Sequence, residues 1–194
     1  PASVLYGQMS PGGMVNVVSK RPTFQPGGEA MLQYGSNARL QAGLDLNGVI
    51  GDDQSLGWRL VGLAQNAGTM INLVDDDRLF IAPSLTWQPD DATSLTILTS
   101  YRRARGSEGS QGVPPDLVDQ LPSNINVGDP NFDEYDQDQW ALGYEFTHDF
   151  TPNLTFSQSA RYQRLDVNYR QLYLADPTEE PTDSPGAYHR TAYL

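Results

Sequence analysis

The chain has 194 residues, enough for one sizeable domain, and its 38% hydrophobic and 19% charged content is that of a folded rather than a disordered protein. Its 12 basic residues against 24 acidic ones leave a formal charge of −12, which speaks against a nucleic-acid partner, because phosphate binding needs clustered Lys and Arg. With no cysteine, disulfides, thiolate metal sites and a cysteine nucleophile are excluded.

The opening stretch, "SVLYGQMSPGGMVNVVSKRP" from Ser3 to Pro22, sets a Pro-Gly-Gly turn at Ser10–Gly13 between two short apolar runs and ends on Lys20-Arg21 before Pro22. It reads as a hairpin. The glycines are not a phosphate loop, since no GK[ST] follows and the next element is extended. After the breaker "TFQPGG" the hydrophobic period becomes two.

In "RLQAGLDLN", Leu40, Ala42, Leu44 and Leu46 share one face, while Gln41, Asp45 and Asn47 share the other. "RLFIAPSLTWQPDD" sets Leu79, Ile81, Leu85 and Trp87 against Ser84 and Thr86, and "QWALGYEFTHDF" sets Trp140, Leu142, Tyr144, Phe146 and Phe150 against Glu145 and Thr147. These patterns and the turn signals between them predict strands at 29–36, 38–48, 57–67, 78–88, 94–104, 138–150 and 154–173, with an eighth begun at Tyr188. In "GWRLVGLAQN" and "LTFSQSARYQRLDVNY" both faces are mixed, so those two strands rest on spacing.

Connections alternate between short ("GDDQSLG", "PDDAT", "TPN") and long and polar ("NAGTMINLVDDD", Arg103–Asp136, "ADPTEEPTDSPGA"). Trp and Tyr at the ends of apolar faces (Trp87, Trp140, Tyr144) suit a strand that meets lipid on one side and water on the other. The expected fold class is all-β, an antiparallel transmembrane barrel. A soluble all-β binding module and a passive porin are the alternatives, the first without aromatic girdles and the second without the opening hairpin.

Little in the chain suggests catalysis. His148 and His189 lack a second imidazole at metal-binding spacing, and no nucleophile elbow is present. The acidic clusters Asp75–Asp77 and Asp133, Glu134, Asp136, Asp138 have no EF-hand spacing and read as solvated loops.

With barrel strands behind it, the Ser3–Pro22 stretch resembles the C-terminal end of the plug domain of TonB-dependent siderophore receptors, in which "LYG…SPGG.VN.VSKRP" directly precedes the first barrel strand. The order of "WRLVGLAQNAG", "RLFIAPSLTWQPDDATSLTILTSY" and "LGYEFTHDF" resembles the ferrichrome-receptor branch. The resemblance implies a plug end and hinge at residues 1–28 and, at 29–194, the first seven to eight strands of a barrel of about 22 strands, a size whose lumen needs plugging. It implies a fragment of an outer-membrane transporter that is not an enzyme and has no resident cofactor, the iron travelling as a complete ferric siderophore chelate. Its partners would be that chelate, outer-membrane lipid and, through a segment upstream of Pro1, the TonB complex. In the family the loop corresponding to Arg103–Asp136 helps to line the ligand pocket, which makes Gln111 and Gly112 within it, and Arg103 and Arg105 at its base, the candidate substrate-binding residues. Here "GSEGSQGVPPDL" stands where the ferrichrome receptor carries an aromatic stretch, which argues against ferrichrome itself as the ligand.

Overall fold

A computed structural model describes residues 17–107, 118–174 and 190–193. These form one antiparallel sheet of eight strands in simple sequence order: β1 (Gly27–Tyr34), β2 (Leu40–Ile50), β3 (Leu56–Asn66), β4 (Asp76–Asp90), β5 (Thr93–Gly106), β6 (Glu134–Thr151), β7 (Leu154–Leu174) and β8 (Arg190–Tyr193). The expected order and number of strands hold. The opening hairpin at Ser10–Gly13 and the loop residues Gln111 and Gly112 lie outside the described residues.

Boundaries move where turn chemistry was misjudged. β1 ends and β2 begins two residues away from the expected positions, because the connection is wider than a tight hairpin. Gly35 donates its N–H to the Arg39 carbonyl at 2.9 Å, and Asn37 and Ala38 both take positive φ, 56° and 54°. β6 starts at Glu134 rather than residue 138, since its ladder with β7 continues upward to the Glu134–Arg170 pair.

Register fixes the two faces, because partners opposite one another across an antiparallel ladder point the same way. The set Leu44, Gly62, Ile81, Tyr101, Trp140 is one such row, and Leu56, Trp87, Leu95, Phe146 another. This face is apolar and open: Leu40, Leu44, Leu79, Ile81, Leu85, Trp87, Trp140 and Leu142 are all exposed. The opposite face carries Gln41, Asp45, Gln65, Ser84, Thr86 and Thr96, which are buried, with the Thr86 and Thr96 hydroxyls 2.9 Å apart. A water-soluble sheet would bury the first set and expose the second. The inversion is what a wall with hydrocarbon outside and water inside requires.

Along β6 the apolar face runs from Trp140 to Phe150, roughly 33 Å of strand at about 3.3 Å per residue, or about 25 Å of height at a tilt near 40°. Rings gather at both ends. Tyr101 stacks on Trp140 with centroids 4.2 Å apart at one end, and Phe146, Phe156 and Phe150 lie toward the other. Tyr144 stands between those ends, opposite Ile97 and Ala160, so it is a mid-wall residue and not part of a girdle.

The connections 51–55, 91–92 and 152–153 share one end of the sheet, and 35–39 and the longer 67–75 and 107–133 share the other. The long end is built up rather than loose. Gly68 donates to the Asn37 carbonyl and Asn72 to that of Asn124, tying three connections together at 2.9 Å each.

Candidate functional site

Residues 17–26 do not join the sheet. They run across its polar face, and Lys20-Arg21 supply the fastening. Pro22 excludes Arg21 from the helical region, so the backbone there is extended and successive side chains leave in opposite directions. Lys20 reaches β2, where its Nζ donates to Asp45 Oδ2 at 2.5 Å. Arg21 reaches β6, where Nε and Nη2 donate to the two oxygens of Glu145 at 2.6 and 2.7 Å.

Arg59 on β3 completes the network. Its Nε and Nη2 grip Asp45 at 2.7 Å each, and its Nη1 donates to the Arg21 carbonyl at 3.0 Å. The Asp45 carboxylate therefore lies between two cations with its side chain only 9% exposed. A buried carboxylate without them would be strongly unfavourable, and bidentate Arg–carboxylate geometry is the strongest form of such a contact. Glu145 in turn raises the Arg21 guanidinium above its ordinary value, through its hydrogen bonds first and its charge second.

Neutral contacts continue the seam toward β1. Thr23 donates its N–H to Asn47 Oδ1 at 3.0 Å, and Asn47 Nδ2 returns bonds to Thr23 Oγ1 at 2.8 Å and the Gln25 carbonyl at 2.5 Å. Gly57 beneath has no side chain because there is no space for one: a Cβ would meet Pro22 at 3.1 Å and the Phe24 ring at 3.2 Å. Between Val17–Arg21 and β5–β7 a cleft of about 340 Å³ is floored by Ser100, Ala141, Gly143 and Ser159, with Glu145 and Arg161 at its side.

At the long-loop end, Arg103 and Arg105 stand on the outer face. Arg103 is opposite Leu79 and Asp138, in line with Tyr101. Arg105 pairs with Asp136 at 2.9 Å and Asp138 at 2.5 Å, and the Tyr101 hydroxyl donates to the same Asp138 at 2.5 Å. Both arginines thus sit above the apolar band on the outside of the wall. The preceding Arg102, opposite Phe80 and Gln139, is on the inner face together with Arg78. Sequence reading singled out the outward members of "RRAR".

His148 meets the Thr93 hydroxyl at 3.0 Å and the Phe150 ring, a strand-end role. Among the described residues no three His, Asp or Glu converge as metal ligands.

No family model matches the chain. Among known proteins it is 33% identical over 192 residues to the ferrichrome outer membrane transporter and phage receptor of Escherichia coli, covering 95% of this chain and 25% of that protein. It is 32% identical over 181 residues to the ferrioxamine B receptor of Salmonella typhimurium, covering 90% and 26%. The chain therefore spans about a quarter of the length of these relatives. A solved structure of the ferric-catecholate import receptor of Escherichia coli, in an open form, superposes with a TM-score of 0.81 over 100% of this chain and 32% of that one, at 22% identity. Sequence similarity along nearly the whole chain, joined to a meandering wall of the same fold with a polar inner face, places the chain in the family of TonB-dependent siderophore receptors.

Proposed function

We propose that the chain is part of an outer-membrane receptor that takes up ferric siderophores by TonB-dependent active transport, with residues 1–28 as the end of the plug and its hinge, and residues 29–194 as the first strands of the barrel. The supporting observation is the strip from Val17 to Gln25 fastened to the inner wall through Asp45 and Glu145. A passive porin has no use for a segment tied across its lumen. A soluble binding module would not turn its leucines and tryptophans outward.

On this reading the protein is a transporter and not an enzyme, and it holds no resident cofactor. Iron is cargo, carried inside a complete chelate, so the wall needs hydrogen-bond donors and charge rather than metal ligands. Neither TonB nor the chelate requires contact with nucleic acid.

The test is uptake of radio-labelled ferric siderophores by cells expressing the full receptor, with and without a working TonB system. Uptake should appear with the receptor and vanish when TonB is removed. Uptake that persists without TonB would favour the porin.

A second expectation concerns the loop that carries Gln111 and Gly112. Deleting Ser107 to Pro115 should reduce uptake while leaving insertion intact, because the deletion falls between the end of β5 at Gly106 and the start of β6 at Glu134 and so spares the wall. Unchanged affinity for every chelate that the intact receptor accepts would remove the loop from the binding site.

A further inference from the structure

The two carboxylates that fasten the strip differ in what the wall itself offers them. Asp45 is opposite Val61 on β3, and Arg59, two residues before Val61, already holds it at 2.7 Å. If Lys20 leaves, that charge stays paired within the wall. Glu145 has Arg21 as its only ion-pair partner among the described residues, and Arg21 belongs to the strip. Release of the strip therefore leaves the Glu145 carboxylate unpaired unless another cation is within reach.

Arg161 is such a cation. Glu145 is opposite Ser159 on β7, and Arg161, two residues after Ser159, is opposite Gly143. Gly143 is opposite Leu98 and Leu98 opposite Ser84, so this row is on the inner face. Diagonal neighbours on a ladder are about 7–8 Å apart, a gap that long side chains bridge, as Arg59 does to Asp45. The stem of Arg161 lies over the space that Gly143 leaves, since a Cβ on Gly143 would be 3.4 Å from both Cβ and Cγ of Arg161. Arg161 is exposed and makes no hydrogen bond or ion pair among the described residues. The cleft of about 340 Å³ beside the strip has three charged groups in its lining, Arg21, Glu145 and Arg161, which is two guanidinium groups for one carboxylate.

Two effects then act in one direction. With the strip docked, Arg161 repels Arg21, and with the strip away it pairs with Glu145. From this arrangement we infer that Arg161 is a positioning residue for release of the strip: it takes over the Glu145 carboxylate when Arg21 leaves, so that undocking exposes no unpaired charge on the wall. Release of the strip as a step of transport rests on the receptor reading above, whereas the hand-over itself is a property of the wall.

Hydrogen exchange of residues 17–25 in the full receptor, folded into lipid vesicles, tests the hand-over without chelate or TonB. Arg161→Gln should slow exchange of the strip about threefold, because the docked state gains and the undocked state loses, while amides of β6 and β7 keep their protection. Arg161→Lys should keep most of the wild-type rate. In a Glu145→Gln background Arg161→Gln should make little further difference, since no carboxylate is left to hand over.

Faster exchange in Arg161→Gln would make Arg161 a brace of the docked strip and overturn the inference. So would an unchanged rate, an Arg161→Lys variant that behaves as Arg161→Gln does, or the same slowing whether or not Glu145 is present. Absence of TonB-dependent uptake would instead remove the receptor reading, and the exchange rates would still decide whether Arg161 receives Glu145.

Discussion

Asp45→Asn in the full receptor should release the strip from the wall. The variant removes the charge that Lys20 and Arg59 share, and leaves Arg59, whose side chain is 18% exposed, facing the inner wall without its counter-ion. Breaking a buried pair in this way costs about 3–5 kcal/mol. Lys20 is 54% exposed and Arg21–Glu145 is partly open to solvent, so Lys20→Ala and Glu145→Gln should each cost only about 1 kcal/mol. Local stability on that scale is readable by hydrogen exchange. Amides of residues 17–25 should exchange at least about a hundredfold faster in Asp45→Asn, while strand amides in β4 and β5 keep their protection. Trypsin should then cut after Lys20, a bond shielded in the wild type. If exchange of the strip is unaltered by Asp45→Asn, the network does not hold it in place.

The second large effect concerns the wall. Ile97 lies midway along β5 on the apolar face, opposite Leu85 and Tyr144, whereas Ser94 lies on the same strand facing inward, opposite Thr147. Ile97→Arg should destabilise the inserted receptor by about 2–4 kcal/mol, the cost of a guanidinium at mid-bilayer, and Ser94→Arg by much less, because its head group remains in water. Denaturant titration of the receptor folded into lipid vesicles measures both. Equal costs, or the reverse order, would mean that the faces have been assigned the wrong way round.

Much of the wall was legible in the sequence because alternation needs only local information. Leu40, Ala42, Leu44 and Leu46 share an exposed or lipid-facing row for the same reason that they alternate with Gln41 and Asp45. The sides of Arg102, Arg103 and Arg105 could have been read in the same way. Continuing the row Leu95, Ile97, Thr99, Tyr101 by steps of two leads to Arg103 and Arg105, so the arginine left for the lumen is Arg102. Proximity to a long loop suggested otherwise, since loops draw attention to every charge near them. The wide Gly35–Arg39 turn was missed because its positive φ values fall on Asn37 and Ala38, and alanine gives no signal for the left-handed region. The fastening of the strip was not legible at all. Lys20-Arg21 was visible as a basic pair, but its partners are set by which strands curve beneath it, and no local pattern names them.

The two arms of that fastening close over very different lengths of chain: Lys20 meets Asp45 across 25 residues, and Arg21 meets Glu145 across 124. The first contact needs only the β1–β2 hairpin, whereas the second must wait until β6 has been added to the sheet. Loop-closure entropy and strand order therefore give the strip a sequence of events, docking first at one side and locking last at the other. Substitution of Glu145 should then alter a late stage of assembly and chiefly speed undocking, while loss of Asp45 should slow the first capture. The neighbouring residues Lys20 and Arg21 would thus report on two separate moments in the construction of the wall.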